Sequence, residues 1–184
     1  AMDQDKIDKS PVYWPYSAKS SEMVNEIIMA KENHDTLGGI IEVVVKGMDA
    51  GIGEPIFDKL HADLGKALLS IPSAKGIEFG LGFESAKYKG SMYNDQYENK
   101  KQKELTKSNH DGGIQGGISN GNDIVFRIAF KPVPSIGIKQ NSMDVERNPN
   151  EILIKGRHDV CAVPRIIPVA EAMTCLVLAD QIIL

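Results

Sequence analysis

The chain has 184 residues, 42% of them apolar and 25% charged, with a formal net charge of −4. That balance suits a globular chain of one domain or slightly more and excludes wholesale disorder and fibrous repeats. The acidic balance also argues against nucleic-acid binding, which needs a basic excess or stripe; the longest basic run, Lys100, Lys101 and Lys103, is diluted by Glu98 and Glu104.

Residues 1–18 are polar, carry Pro11, Tyr13, Trp14, Pro15 and Tyr16, and read as an irregular arm with aromatic anchors. The folded portion is then 19–184. Met23, Ile27, Ile28 and Met29 fall near three- and four-residue spacings and predict a helix over 20–31, capped by Ser20 or Ser21. The β-branched run at 40–45, opened by Gly38 and Gly39, predicts a strand. Pro55 predicts the start of a helix to about residue 69, with Phe57, Leu60, Leu64, Ala67 and Leu68 as its apolar stripe. Residues 76–80 alternate as a short strand. The stretch 84–107 is polar, Lys-rich and without period, so it reads as a flexible flap or disordered segment. Along 124–131, Ile124, Phe126, Ile128 and Phe130 share one strand face, and Val125, Arg127, Ala129 and Lys131 the other. Two further strands are expected at 135–139 and 152–155. Residues 164–184 form a helix apolar nearly all round, which predicts burial or a subunit contact. Arg165, Pro168, Glu171 and Asp180 interrupt it and argue against a membrane span. This irregular order lacks the beat of a doubly wound fold. It predicts an α+β layered fold, helices packed on mostly antiparallel sheet.

Cys161 and Cys175 are the only cysteines, both in apolar company and without a CxxC pattern. They read as buried thiols in a reducing, cytoplasmic compartment. A basic start with an apolar core and cleavage site is absent, so no secretory signal is expected. Ala1-Met2 reads as a cloning scar, and Ile182-Ile183-Leu184 stops inside a helical pattern. Both suggest a piece of a longer chain.

Three clusters carry chemistry. Gly112-Gly113-Ile114-Gln115-Gly116-Gly117 permits positive φ and close approach of backbone amides to an anion or flat ring. It is neither a dinucleotide fingerprint nor a Walker loop, so a structural turn and a ligand loop both stay open. Gly156-Arg157-His158-Asp159 puts a permanent cation, a neutral-range titrating ring and a carboxylate side by side. A solvated turn with an Arg–Asp pair is the plain alternative. Lys131-Pro132-Val133-Pro134-Ser135 is a proline-locked anion clamp by composition. His34 and His61 read as surface residues. Periodicity and spacing lead to an α+β domain with a Gly-rich, Arg/Lys-bearing site for an anionic ligand, and no metal site.

Six ordered runs go further. They are Gly51 to Leu60, Ser70 to Glu78, Ser108-Asn109-His110 with Gly112 to Gly121, Lys131 to Ile136, Gly156 to Cys161, and Pro164-Arg165-Ile166-Ile167-Pro168 through Met173. Together they resemble chorismate synthase, with the match thinner before residue 35. The resemblance implies the C-terminal half of a family chain about twice this length. The family's two catalytic histidines, its substrate arginines and an Arg-Ser-Ser-Ala-Arg flavin loop belong to the other half. It also implies a β-α-β sandwich core, a homotetramer in full-length form, and an anti 1,4-elimination of phosphate from 5-enolpyruvylshikimate 3-phosphate that gives chorismate. The implied cofactor is reduced FMN, with NADPH as associated reductant; the substrate is a small molecule, with neither nucleic acid nor membrane as partner. By position, Pro72, Ser73, Gly116, Lys131, Pro132, Val133, Pro134, Ser135 and Arg157 match flavin-binding positions, and Asp159 matches a catalytic acid at the flavin. The family often has Asn-Ala at 72–73, and a proline where Val160 stands. The alternatives are a non-catalytic anion-binding or assembly module of the same fold and, more weakly, a generic flavin oxidoreductase.

Overall fold

The computed structural model describes residues 4–98 and 106–183. Lys100, Lys101, Lys103 and Glu104, in the predicted flap, lie outside the described residues. Two compact units are drawn from 1–39 with 131–166 and from 40–130 with 167–184.

In the second unit, β1 (Gly39–Val45, from Ile40 onward), β2 (Ala74–Phe79) and β5 (Ile124–Phe130) form a sheet of order β1-β5-β2. β2 runs antiparallel to β5, with Phe79 opposite Phe126 and Ile77 opposite Ile128. The alternation read from the sequence is realised: Ile124, Phe126 and Ile128 are fully buried and Phe130 nearly so. The Phe79 and Phe126 rings lie 5.5 Å apart. On the opposite face Arg127 pairs with Glu78 at 3.0 Å. Helix α3 (Leu60–Leu69) packs on β2 and fully buries Leu60, Leu64 and Leu68. Each such side chain contributes about 1.5–3 kcal/mol by leaving water.

α3 starts later than the apolar stripe predicts. Glu54 and Asp58 exchange backbone hydrogen bonds of 2.9 and 3.0 Å, and Lys59 is extended. The Leu60 amide then donates to the Gly117 carbonyl at 2.8 Å, which satisfies an N–H that an isolated helix start leaves open. Phe57, placed on the stripe by spacing, is 89% exposed.

The predicted flap is built where it is described. A 3-10 helix spans Gly82–Lys87, and α4 spans Gly90–Tyr93. After it, β3 (Ile114–Gln115) and β4 (Ile118–Ser119) make a hairpin closed by Gly116 and Gly117, at φ 63° and 97°. A two-residue turn with both φ positive matches strand twist and calls for glycine.

In the first unit, α1 (Gln4–Lys9) and α2 (Ser17–Glu32) bracket the aromatic residues. Ser20, expected as a cap, lies inside α2 with its hydroxyl 2.8 Å from Ser10 Oγ. Ser10 Oγ in turn accepts the Trp14 amide at 3.1 Å. Trp14 and Tyr16 are exposed rather than anchored in a core. The two later strands fall at β6 (Gln140–Met143) and β7 (Pro149–Ile152), not at 135–139 and 152–155. Asp144 sets that register by accepting the Glu146 and Asn148 amides at 2.9 Å each.

α5 (Val163–Ile183) has its first four residues in the first unit and the rest in the second. Ala170, Thr174 and Leu178, four residues apart, form its buried line. Val169, Leu176, Ile182 and Ile183 remain exposed, so burial covers one face and the apolar residues opposite stay available for the subunit contact expected as the alternative. Cys175, expected buried, is exposed too, and Cys161 is half-buried; both are free thiols. Among the described residues, α5 is the helix long and apolar enough to cross a membrane by length and composition. The fold class is α+β, helices on open antiparallel strands, as the sequence predicts.

The contrast within the predicted stripe is testable. Leu64→Ala removes a fully buried side chain and is expected to lower unfolding free energy by about 2–5 kcal/mol in urea denaturation. Phe57→Ala is expected to change it by less than about 0.5 kcal/mol.

Candidate functional site

The site in the first unit starts from the end of α2. His34 follows the Asn33 cap in the left-handed region at φ 57°, where a helix often turns off its axis. The Asp35 amide returns to the Ala30 carbonyl at 2.9 Å. This turn presents 34–37 to two distant segments. The His34 carbonyl accepts the Gly137 amide at 2.9 Å, and Thr36 Oγ1 donates to the Val133 carbonyl at 2.7 Å. The Leu37 amide donates to the Val160 carbonyl at 2.8 Å, within a parallel bridge to Cys161. One short loop therefore pins both the Lys131–Ser135 segment and the Arg157–Asp159 segment.

Between these segments lie two cavities. One, of about 530 Å³, is lined by Val133, Arg157, His158, Asp159 and Arg165. The other, of about 260 Å³, is lined on one side by Lys31, His34 and Thr36, and on the other by Ser135, Arg157, His158 and Asp159. The Arg-His-Asp tripeptide borders both. Arg165 Nη1 donates to Asp159 Oδ1 at 3.0 Å and Oδ2 at 2.8 Å. The Arg–Asp pair considered from the sequence thus exists, but its cation is Arg165 and not Arg157. With Asp159 paired, the larger cavity keeps a net positive lining from Arg157, an arrangement suited to phosphate or carboxylate. Its size falls within the range of small-molecule sites. A larger groove of about 870 Å³ runs along α1 and α2 past Trp14 and Tyr16, but among the described residues no carboxylate, histidine or arginine lines it. In the second unit a cavity of about 460 Å³ carries Glu54, Asp58, Asp63 and Asp180 against a single Lys66, and repels anions.

The expected site residues divide accordingly. Val133, Ser135, Arg157 and Asp159 line the two cavities between the Lys131–Ser135 and Arg157–Asp159 segments, with Lys131, Pro132 and Pro134 exposed on the first of these segments. Pro72, Ser73 and Gly116 belong to the second unit. Pro72 is exposed after α3, Ser73 sits at φ 73°, and Gly116 is exposed at the hairpin turn. Thr36 escaped the site reading, and Arg165 was not among the expected site residues. The signal for Arg165 was its place six residues beyond Asp159; Thr36 acts through a bond to a carbonyl 97 residues away.

A polar network in the second unit also escaped notice. Asp95, with a fully buried side chain, accepts Ser108 Oγ at 2.6 Å and the His110 amide at 2.8 Å on one oxygen. The Asp111 amide reaches its other oxygen at 3.0 Å. Burial alone raises the Asp95 carboxyl, but these hydrogen bonds and the nearby His110 hold it below its ordinary value. Tyr93 donates to Asp111 Oδ1 at 2.7 Å, and its carbonyl lies 2.7 Å from His110 Nδ1. Burial first, then the hydrogen bond and charge of Asp111, push the Tyr93 phenol up to about 12. The network fixes the turn that enters the glycine-rich run: Gly112 has φ 65°, and any Cβ there meets the backbone of Gly80 and Val125.

Residues 1–183 match the family model for chorismate synthase. A chorismate synthase of Roseiflexus castenholzii is 48% identical over 183 residues, covering 99% of this chain and 51% of that protein. The one from Opitutus terrae is 46% identical over 178 residues, covering 97% and 49%. Methanosarcina barkeri has another, 48% identical over 180 residues, covering 97% and 49%. A crystal structure of chorismate synthase superposes with a TM-score of 0.77 at 33% identity, covering 96% of this chain and 46% of that one. The similarity therefore extends through the first 35 residues, where the motifs are thin. The chain spans about half the length of the curated relatives it matches.

The Asp95 network makes a pH-dependent prediction. A carboxyl whose folded value is lowered stabilises fully above its unfolded value, about 3.9, and loses that contribution as pH falls through the folded value. Asp95→Asn is expected to cost about 2 kcal/mol or more at pH 7, and the gap to the wild type is expected to close below about pH 4. Urea unfolding at the two pH values checks this. At the alkaline end, Tyr93 stabilises fully below about 10 and loses that contribution toward about 12. Absorbance titration of the tyrosines is expected to show a step at about 12 that Tyr93→Phe removes.

Proposed function

The chain belongs to the chorismate synthase family, and on that premise we propose that it supplies part of the flavin and substrate site of a phosphate-eliminating carbon–oxygen lyase. The reaction is the anti 1,4-elimination of phosphate from 5-enolpyruvylshikimate 3-phosphate, giving chorismate. The observation that carries this reading is the cavity of about 530 Å³ bordered by Arg157, His158 and Asp159, with Arg157 free of any ion pair among the described residues. Both the substrate and FMN present phosphate, and the substrate adds carboxylates. A guanidinium fork in an open cavity fits that chemistry.

The residues present suit a phosphate-bearing flavin. Arg157 and Lys131 would supply charge, and the Ser135 hydroxyl and the 131–135 backbone would supply hydrogen bonds. Pro132, Val133 and Pro134 hold that backbone rigid, and Thr36 fixes it through the Val133 carbonyl. The resemblance also gives Pro72, Ser73 and Gly116, on turns of the second unit, as flavin-binding positions. Reduced FMN, when bound, supplies electron density to the carbon–oxygen bond that breaks. Asp159, oriented by Arg165, would stand at the flavin edge as the residue that assists proton movement there. The homotetramer, the cytoplasmic compartment and NADPH as reductant belong to the same proposal. Alone, this chain is expected to be inactive with reduced FMN and substrate, because the family's catalytic histidines are not in it.

The exposed Val169, Leu176, Ile182 and Ile183 favour one second reading, a non-catalytic assembly module of the same fold. A single titration separates the two. The flavin reading expects micromolar FMN binding, followed by flavin fluorescence. Lys131→Ala and Arg157→Ala are each expected to weaken it about tenfold or more, the loss of a charge-assisted hydrogen bond. Self-association of a well-folded sample with no FMN binding favours the assembly module.

A further inference from the structure

Resting on that anion-binding reading, we infer that Arg165 is a positioning residue that holds the Asp159 carboxylate off Arg157 and so keeps Arg157 free to take an anion. Arg157, Asp159 and Arg165 line one cavity. In it, one guanidinium nitrogen, Arg165 Nη1, straddles both Asp159 oxygens at 3.0 and 2.8 Å. Arg157, two residues before that carboxylate, makes no ion pair among the described residues. If Arg165 is removed, the guanidinium that remains beside Asp159 in this cavity is Arg157. The pair it then forms competes with any anion for the same fork.

The position of Arg165 points the same way. It is the third residue of α5, whose first turn carries no acidic residue. A cation there opposes the positive end of the helix dipole, and its side chain, 76% exposed, is free to turn to water. It instead closes on a carboxylate outside the helix. The Thr36 and Leu37 bonds meanwhile fix the backbone to either side of the cavity, so the choice of cation for Asp159 is left to side chains alone.

Arginine modification by phenylglyoxal, followed residue by residue with peptide mass spectrometry, tests this on the unliganded chain. In the wild type, Arg157 is expected to react faster than Arg165. In Arg165→Gln, the Arg157 rate is expected to fall roughly two- to fivefold, the factor an exposed ion pair carries. Arg165→Gln/Asp159→Asn restores it, and Arg165→Lys leaves it near the wild type. Asp159→Asn alone brings the Arg165 rate up to that of Arg157, a readout that does not depend on the Gln variant folding. An unchanged Arg157 rate in Arg165→Gln, or a slow rate that persists in the double variant, overturns the inference. Binding of FMN and of inorganic phosphate is expected to weaken by the same factor in Arg165→Gln and to recover in the double variant. Weak binding that does not recover means Arg165 contacts the anion itself, which also overturns it. Failure of the site reading looks different: neither probe binds the wild type, or Arg157→Ala changes nothing, while the modification rates still report on Arg165.

Discussion

Three hydrogen bonds from one loop set the first unit. His34, Thr36 and Leu37 bond to Gly137, Val133 and Val160, and none of these partners is a neighbour in sequence. All three bonds use backbone groups at the partner end, so side-chain identity at 133 and 160 matters less than chain position. Backbone groups near a cavity must be paired or hydrated. Here the pairing also determines which side chains face one another. Arg157, His158 and Asp159 border the cavities because the backbone just after them, at Val160, and the facing segment, at Val133 and Gly137, are tied to one fixed turn. The turn itself depends on His34 accepting a left-handed conformation, one of the few non-glycine residues that does so at modest cost.

The second unit solves a similar problem with a charge. The run from Ser108 to Asp111 offers amides and a hydroxyl with no strand to pair them. Asp95 collects three of them on a buried carboxylate. Burying a carboxylate is costly unless its lone pairs are filled, and the lowered Asp95 value indicates that hydrogen bonding outweighs burial. The consequence is local order in a stretch whose composition reads as loose. Tyr88, Tyr93 and His110 then stack around the network, with ring centroids 5.7 to 6.4 Å apart.

What could be read from the sequence was what depends on neighbours in sequence. The β5 alternation, the β1 run and the 3.6-residue stripe of α3 beyond Leu60 follow from local period, and each sits where the pattern puts it. The misreadings arise where a distant partner decides. Pro55 and Phe57 look like a helix start, but the first α3 amide waits for the Gly117 carbonyl. Residues 135–139 look like a strand, but Asp144 places the ribbon later. α5 reads as buried or as a subunit contact, because composition counts apolar residues and cannot say which face has a partner. For the site, the Arg157–Asp159 cluster was visible as residue types. That Asp159 belongs to Arg165 was not, because both arginines lie within reach in sequence and only geometry chooses.

That choice bears on how a chain of net charge −4 offers a site to anions. Net charge governs long-range steering and solubility, whereas a bound phosphate senses the groups within one Debye length, about 8 Å at physiological salt. Within that range a single unpaired carboxylate cancels a single guanidinium. The cavity of about 530 Å³ avoids this because its acid is already held by a second arginine. The acidic cavity of the second unit does not, having four carboxylates and one lysine. On the proposed reading an anionic ligand is sorted by local pairing, and Arg165 contributes to recognition without touching what is recognised.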